Sequence, residues 1–325
     1  MKYVLFLLIF APCALSQSLN KIKDKKLIRE LVIYSNIEIT ESNCSDRTSL
    51  IFVVHGDSRD AKSAAASIMD ADKNPGTSVI VAPFFAESTQ LDELNISKKK
   101  TLYWNSSDWK WGGYAKKLSS EDSKVSSFEV AEIVIKKIKK ICKNISNLKI
   151  VGHSAGGQFV QRFTAYHKIS TSSFSNGIVH VVSNPSSYLY FSKERPVTTG
   201  GSINFETPVT SCSNYNNYRF GLSKLPSYVS DISSKKLKSN YKSRTVKYLI
   251  GELDADPADS SMDQSCGAII QGTHRRERAE NFYAALNTFF GANVYERHSF
   301  TLIPSVGHSA RQVYTSQIGR DVLFN

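Results

Sequence analysis

The sequence lacks a long hydrophobic run beyond its N-terminal residues, and no other stretch approaches the roughly 18 apolar residues that span a bilayer. It shows no internal repeat, and its five cysteines do not have the spacing of a zinc site. No nucleic-acid-binding motif accompanies its net charge of +12. These absences argue against a solenoid, a zinc-binding domain, a membrane span and a nucleic-acid partner. The 325 residues, of which 41% are hydrophobic, suffice for one large core.

The positive charge is concentrated in three clusters of basic residues, at positions 98–100, 136–140 and 235–244. The second cluster falls on the polar face of a predicted helix, because apolar residues recur at helical spacing at Val130, Ile133, Val134, Ile138 and Ile141. Such charge would suit an acidic surface or substrate. We favour the simpler interpretation, a solvated helix face.

The first sixteen residues, MKYVLFLLIFAPCALS, have the pattern of a secretory signal peptide. One lysine precedes an apolar run of about a dozen residues, and Ala14 and Ser16 supply the small residues of a cleavage site. The run is too short to anchor the chain in a bilayer. We expect cleavage near Ser16 and Gln17, which leaves residues 17–325 as one secreted domain in an extracellular or periplasmic compartment.

Export changes the interpretation of the cysteines, because secretory compartments are oxidising. Cys13 leaves with the signal peptide, so Cys44, Cys142, Cys212 and Cys266 remain. Four cysteines form two disulfides with three possible connectivities. We favour Cys212 with Cys266, because both lie in loop-rich stretches of the second half, and Cys44 with Cys142 as the other pair.

Four Asn-x-Ser sequons occur, at Asn43, Asn95, Asn105 and Asn144. In a secreted eukaryotic protein these asparagines are candidate glycosylation sites.

Short apolar runs alternate with helical patterns along most of the chain. Strands are predicted near residues 31–39, 49–54, 78–82, 149–151, 177–183, 245–250 and 300–303. Helices are predicted at 60–69, 127–143 and 275–290, and directly after Ser154. Residues 84–117 have a loop-like pattern, and residues 191–228 that of a cap or an elaborated loop. This alternation predicts an α/β fold whose mostly parallel sheet carries helices on both faces.

The sequence KIVGHSAGGQF, from Lys149 to Phe159, predicts a strand, a sharp turn and a helix. It contains the pattern GxSxG, in which Ser154 occupies a strained turn that requires Gly152 and Gly156 on either side. Such a turn presents the serine hydroxyl at the carboxyl edge of the sheet. The backbone N–H of Ala155, at the start of the helix, is then placed to stabilise an oxyanion.

A serine hydroxyl needs a base, and the base needs a carboxylate that orients it. Asp254 follows the predicted strand YLIGELD, and His308 follows the predicted strand FTLIP. Asp256, and also Asp259, lie close enough in sequence to be rivals of Asp254. The other histidines are weaker candidates for the base: His153, His167, His180, His274 and His298.

The segments 152–156, 251–254 and 306–308 resemble the three catalytic segments of the α/β-hydrolase superfamily, in particular its secreted serine esterases. The resemblance extends from about residue 31 to the C-terminus. It implies an α/β-hydrolase fold with an elaborated loop or cap region after the sixth strand. It also implies that Ser154, Asp254 and His308 act as a catalytic triad without any metal or cofactor.

The resemblance implies two further groups of site residues. A second oxyanion donor is expected from the backbone of Gly56 or Asp57, although the sequence has only one glycine where lipases have several. Tyr188 and Tyr215 follow a strand at the edge where substrate residues collect. The three tryptophans, Trp104, Trp109 and Trp111, either line a substrate groove or anchor a long loop.

Together these observations predict a secreted serine hydrolase that cleaves carboxylic esters in a small molecule or polymer through an acyl-enzyme intermediate. Two alternatives remain from the sequence. One is a serine peptidase, or a depolymerase of a polyester or polyamide, that uses the same triad. The other is a catalytically idle binding protein of the same fold.

Overall fold

The computed structural model describes residues 17–199 and 202–325, so the predicted signal peptide and Cys13 lie outside the described residues. The strands within the described residues are β1 Ser18–Ile22, β2 Leu31–Ser35, β3 Ser49–Val54, β4 Ser78–Pro83, β5 Asn147–His153, β6 Ile178–Ser183, β7 Arg195–Thr199, β8 Ser202–Glu206, β9 Thr245–Gly251 and β10 His298–Ile303. The helices are α1 Ala61–Met69, α2 Ser88–Glu93, α3 Ser127–Ile141, α4 Ala155–Tyr166, α5 Ser234–Ser243, α6 Cys266–Ile269, α7 Arg275–Phe290, α8 Ala310–Thr315 and α9 Gln317–Phe324.

Eight of the described strands form one mixed sheet in the order β1-β2-β4-β3-β5-β6-β9-β10. Strand β2 runs antiparallel to β1 and to β4, and the other neighbours in the sheet are parallel. The strands β7 and β8 form a separate antiparallel hairpin. The mostly parallel sheet that the sequence predicts is therefore confirmed, with an antiparallel edge that the sequence pattern did not reveal.

The sheet is covered on both faces, because its central strands are apolar on both sides. Every residue of β3 is buried, and alternate side chains enter two different cores. Leu50 and Phe52 contribute to the core beneath α3, α4, α5 and α7, whereas Ile51 and Val53 contribute to the core beneath α1, α8 and α9. Full burial of each such side chain contributes about 1.5–3 kcal/mol to folding.

Several elements escaped the sequence analysis because they are short or polar. The strand β1, at the sheet edge, alternates between half-buried and exposed residues up to Lys21 and ends in the buried Ile22. The predicted loop at 84–117 contains α2 and a 3-10 helix, and the predicted cap-like region at 191–228 contains the β7–β8 hairpin. The helices α8 and α9 follow His308 in a segment for which no element was predicted.

Two disulfides connect segments that are distant in sequence. Cys44 pairs with Cys142 across a separation of 98 residues, and Cys212 pairs with Cys266 across 54 residues. This is the connectivity that the sequence analysis favours. Each bond restricts the unfolded chain, which is worth on the order of 3–5 kcal/mol in the chain-entropy treatment.

Residues 17–199 and 202–325 include no helix that combines the length and the apolar character needed to cross a membrane.

Buried neutral histidines form part of the core beside the sheet. The Nδ1 of His298 accepts a hydrogen bond from the hydroxyl of Tyr248 at 3.2 Å, and its Nε2–H donates to the carbonyl of Tyr241 at 3.1 Å. His180 donates through Nδ1 to the carbonyl of Thr245 at 2.9 Å. Burial lowers the pKa of His298 to about 4 and that of His180 to about 3. Both rings are therefore neutral in the folded protein above that range.

These histidines predict that acid destabilises the protein well above pH 4. Below about pH 6.5 the unfolded chain binds protons at these positions, whereas the folded chain does not. The free energy of unfolding therefore decreases as the pH is lowered below about 6.5, by up to about 1.4 kcal/mol per pH unit for each histidine. Urea denaturation of the disulfide-intact protein between pH 4.5 and 7 measures this slope. A His298→Gln variant should show a shallower slope, and an unchanged slope would contradict the assignment.

Candidate active site

Ser154 lies in a tight turn between β5 and α4. Its φ of 57° and ψ of −119° are strained for a residue with a side chain. A Cβ on Gly152 would lie 2.2 Å from the carbonyl oxygen of Gly156, and a Cβ on Gly156 would lie 2.2 Å from that of Val54. The turn therefore requires glycine at both positions. Ser154 remains partly exposed, and two pockets meet at its side chain.

His308 and Asp254 are brought together by two parallel strands. The strands β9 and β10 pair so that Gly251 lies beside Ile303, and the loops that follow them leave the same edge of the sheet. The Nδ1 of His308 donates a hydrogen bond to Oδ2 of Asp254 over 2.7 Å. The carboxylate is buried, whereas 23% of the His308 side chain remains exposed. His308 and Ser154 line the same pocket.

The Asp254 carboxylate is stabilised as an anion. Burial alone would raise its pKa, but the hydrogen bond and charge of His308, the amide of Asn184 and the guanidinium of Arg275 lower the pKa below its ordinary value. Asn184 donates through its side-chain amide, and Arg275 Nη1 lies 3.4 Å from Oδ1. Asp254 is thus an ionised acceptor that holds the His308 ring in one orientation.

The two sequence rivals of Asp254 lie elsewhere. Asp256 is exposed, and its carboxylate accepts from the backbone N–H of Ala258 at 2.9 Å. Asp259 pairs with Nη1 of Arg275 at 2.5 Å. Among these three carboxylates, only Asp254 makes a described contact with His308.

His153, one of the weaker candidates for the base, lies beside His308 and lines the same pocket. Its ring centroid is 4.6 Å from that of His308, and its Nε2 has no hydrogen-bond partner in the described part of the chain. Burial, reinforced by His308, lowers its pKa well below the usual value. The neutral ring therefore forms one wall against which His308 packs.

The other weaker candidates for the base make structural contacts instead. His167 and His180 form a buried pair with 2.9 Å between their Nε2 atoms, and His298 is bonded in the core. His274 caps α7 by accepting from the backbone N–H of Glu277.

The loop of His55 and Gly56 lies beside the predicted nucleophile. A Cβ added to Gly56 would be 3.9 Å from Cβ of Ser154. His55 fixes this loop, because its Nε2 accepts from the N–H of Phe85 at 3.2 Å and its Nδ1–H donates to the Gly56 carbonyl at 2.9 Å. Burial lowers the pKa of His55 to about 4, which keeps this tautomer neutral. The backbone from Gly56 to Asp57 stays the candidate for the second oxyanion donor.

Ala155 is the first residue of α4, where backbone N–H groups lack intrahelical acceptors. Its N–H stays the candidate for the first oxyanion donor.

The two pockets have different linings. One, of about 360 Å³, extends past His308 along α1 and α8, where Val53, Ala64 and Tyr314 contribute apolar surface. The other, of about 300 Å³, is mainly polar and lies between the start of α4 and the segment 260–264. Ser154, Asp57 and Ser261 line both. The combined cleft therefore leads away from Ser154 in two directions.

The aromatic residues assigned to substrate binding do not line these pockets. Trp104 is 1% exposed and donates from its indole N–H to the carbonyl of Gly113, so it anchors the loop. Tyr188 is fully buried and stacks on Phe282 with 4.5 Å between ring centroids. Tyr215 lies against the buried Arg195. Packing inside the protein accounts for Trp104 and Tyr188, whereas Tyr215 is half-buried and lies outside the two pockets.

Trp109 is likewise fully buried, and its ring lies 4.5 Å from that of His55. Trp111 is half-buried and lies beneath the guanidinium of Arg219, which is itself in the polar pocket. The tryptophans therefore anchor the loop, the option that the sequence left open.

Sequence reasoning missed four polar residues of the site: Asn184, Arg275, Lys110 and Arg219. Asn184 had one detectable signal, because it ends a buried strand and precedes a proline. The other three lie in polar or helical segments whose local pattern is ordinary.

The four sequon asparagines are exposed, which glycosylation requires. The side-chain amide of Asn144 donates to the carbonyl of Ser45, and that of Asn43 donates to Glu38. Glycosylation at Asn43, Asn95, Asn105 and Asn144 stays a prediction.

The sheet order, the strained serine turn and the carboxyl-edge location of Asp254 and His308 define the α/β-hydrolase fold. No protein-family model and no curated protein matches the sequence.

Solved structures do match this fold. Poly(aspartic acid) hydrolase-1 from Sphingomonas sp. KT-1 is similar with a TM-score of 0.62 and 20% identity, over 94% of this chain and 98% of that one. The poly(3-hydroxybutyrate) depolymerase LpqC from Bordetella parapertussis is similar with a TM-score of 0.61 and 18% identity, over 95% of this chain and 89% of that one. At these identities the similarity confirms the predicted fold only, and the chemistry is inferred from the residues of the site.

The contact between Asp254 and His308 predicts a sharp difference between two neighbouring carboxylates. Asp254→Asn should slow labelling of Ser154 by a fluorophosphonate on the order of 10³-fold, because the amide no longer holds the correct tautomer of His308. Asp256→Asn removes the same charge from an exposed position and should change the labelling rate less than about twofold. Equal effects of the two variants would contradict the assignment of Asp254.

Proposed function

We propose that the protein is a secreted serine hydrolase that cleaves carboxylic esters, with Ser154 as nucleophile, His308 as base and Asp254 as the orienting acid. The observation that carries the proposal is the 2.7 Å bond from His308 to a buried, ionised Asp254, since His308 and the strained Ser154 line one pocket. A strained serine beside a histidine oriented by a carboxylate is the arrangement that activates a hydroxyl.

In the proposed reaction Ser154 attacks the ester carbonyl while Nε2 of His308 takes the hydroxyl proton. Nε2 is available because Nδ1 carries the proton shared with Asp254. The N–H of Ala155 and one N–H from the loop of Gly56 and Asp57 stabilise the oxyanion, and losing one such donor typically costs 10²–10³-fold in rate. His308 then protonates the leaving alcohol, and water hydrolyses the acyl-enzyme by the same route.

Secretion is part of the proposal. The N-terminal sequence has the signal-peptide pattern, and the two disulfides fit an oxidising compartment. The four exposed sequons are compatible with export through a eukaryotic secretory pathway.

A polymer is a second candidate substrate, because the cleft extends from Ser154 in two directions. A chain that passes Ser154 would occupy both pockets, whereas a simple acyl ester needs only one for its acyl group. The two similar structures are a poly(aspartic acid) hydrolase and a poly(3-hydroxybutyrate) depolymerase, which agrees with this candidate.

Hydrolysis of p-nitrophenyl esters from acetate to palmitate tests the proposal. We expect activity with an optimum at short or medium chains, because the apolar pocket is small and the other pocket is polar. Ser154→Ala should lower kcat/KM by more than about 10³-fold. The control Ser172→Ala lies in an exposed 3-10 helix and should be unchanged. Activity that survives in Ser154→Ala would overturn the serine mechanism, and an inert, unlabelled wild-type protein would favour the idle binding protein.

The polymer candidate predicts release of soluble oligomers from poly(3-hydroxybutyrate) or poly(aspartic acid). Mass spectrometry of the products, with Ser154→Ala as control, measures this release. Hydrolysis of the p-nitrophenyl esters without any release from either polymer would favour a small-molecule ester instead.

A further inference from the structure

The polar pocket beside Ser154 contains two cationic side chains that the proposed chemistry does not use. Lys110 and Arg219 line it together with Ser154, Ala155 and Gln158. Gln158 is buried in α4, and Lys110 follows the buried Trp109. Two cationic residues therefore line the same small cavity as Ser154.

Arg219 is held in place from several sides. Its guanidinium carbon lies 3.7 Å from the centre of the Trp111 ring and 4.7 Å from that of Phe220. Its backbone carbonyl accepts hydrogen bonds from Nη2 and Nε of the buried Arg162, at 2.7 and 3.1 Å. The Cys212–Cys266 disulfide ties the same loop to α6. The guanidinium is therefore preorganised, which lowers the entropy cost of binding a ligand.

The charge of Arg219 is only partly used inside the protein. Its described polar contacts all involve Nη2, which lies 3.3 Å from Asp263 and 3.4 Å from the hydroxyl of Ser265. Asp263 also accepts the backbone N–H and the hydroxyl of Ser265. An arginine has five N–H donors, and 23% of this side chain is exposed.

Lys110 is similar. Its Nζ pairs with Asp57 at 2.8 Å, and only 13% of its side chain is exposed, against 65% for Asp57. An ammonium has three donors. Each carboxylate that lines the pocket, Asp57 and Asp263, has a cationic partner, and both cations keep N–H donors beyond these ion pairs.

We propose that this pocket binds a carboxylate of the substrate, with Arg219 as the main contact and Lys110 as the second. The inference rests on the proposed function, because it places the carboxylate on an ester whose carbonyl lies at Ser154. It specifies the substrate class as acidic esters, such as the half-ester of a dicarboxylic acid or the ester of a hydroxy-acid polymer end. The planar guanidinium suits a carboxylate because it can donate two parallel hydrogen bonds.

Matched esters test the proposal. Phenyl hexanoate is the neutral substrate, phenyl hydrogen adipate carries a carboxylate on the acyl side, and 4-(hexanoyloxy)benzoate carries one on the alcohol side. We expect wild-type protein to have a higher kcat/KM for at least one acidic ester. Arg219→Gln should lower that preference at least tenfold, mainly through KM, with less than a threefold change for phenyl hexanoate.

Three variants control for other effects. Arg219→Lys keeps the charge but loses the planar pair of donors, so it should be intermediate. Lys110→Gln should lower the preference less than Arg219→Gln. Arg297→Gln removes one positive charge from an exposed residue and should leave the preference unchanged. Activity on phenyl hexanoate shows that each variant is folded.

The outcomes separate the inference from the proposed function. If phenyl hexanoate is hydrolysed but neither acidic ester is preferred, or if Arg219→Gln affects all esters alike, the inference is wrong and the ester hydrolase remains. If no ester is hydrolysed, the carboxylate site is tested by measuring adipate binding to the protein by calorimetry. Binding that Arg219→Gln weakens at least tenfold supports the carboxylate site, and absent or unchanged binding overturns it.

Discussion

The irregular segments around the site are held by hydrogen bonds from buried arginines to their backbone carbonyls. A backbone carbonyl inside a protein needs a donor, and the segments that follow the strands have no neighbouring strand to supply one. Buried guanidinium groups supply this donor, and each hydrogen bond from such a charged group contributes about 1.5–3 kcal/mol to stability. Arg162 donates to the carbonyls of Ser187 and Arg219, and Arg278 donates to those of Gly272, Ser186 and Asp263. Burial lowers the pKa of both to about 10, so they remain charged near neutral pH.

The proposed catalytic groups therefore divide by how they are held. Ser154 depends on regular structure, since a buried strand and a buried helix enforce its strained turn. Asp254 depends on side chains, because a buried carboxylate is costly unless it is bonded and paired. His308, Asn184 and Arg275 together meet that requirement. The same logic extends to Arg219, whose loop is fixed by Arg162.

Local sequence patterns were sufficient for the central strands and for the serine turn. The strand β3 and the helix α7 have the predicted limits, because a continuous apolar run and a helical repeat are local signals. The sequence favours Asp254 but keeps Asp256 as a rival, since both follow the same strand, and only the folded structure shows which of the two contacts His308. Tyr188 packs inward, and an aromatic residue after a strand looks the same in sequence whether it packs inward or faces a pocket. Arg219 gave no signal, because its position depends on contacts with residues distant in the chain.

Arg275 links the carboxylate of Asp254 to Ser261 in the wall of the substrate cleft. Its Nη1 contacts the carboxylates of Asp254 and Asp259, and its Nη2 donates to the hydroxyl of Ser261 at 2.7 Å. Ser261 forms part of the wall of both pockets. A substrate that displaces Ser261 therefore also disturbs the ion pair that orients the proposed acid. The fit of a substrate against Ser261 would then affect its turnover as well as its affinity. A poorly fitting ester would bind and yet react slowly.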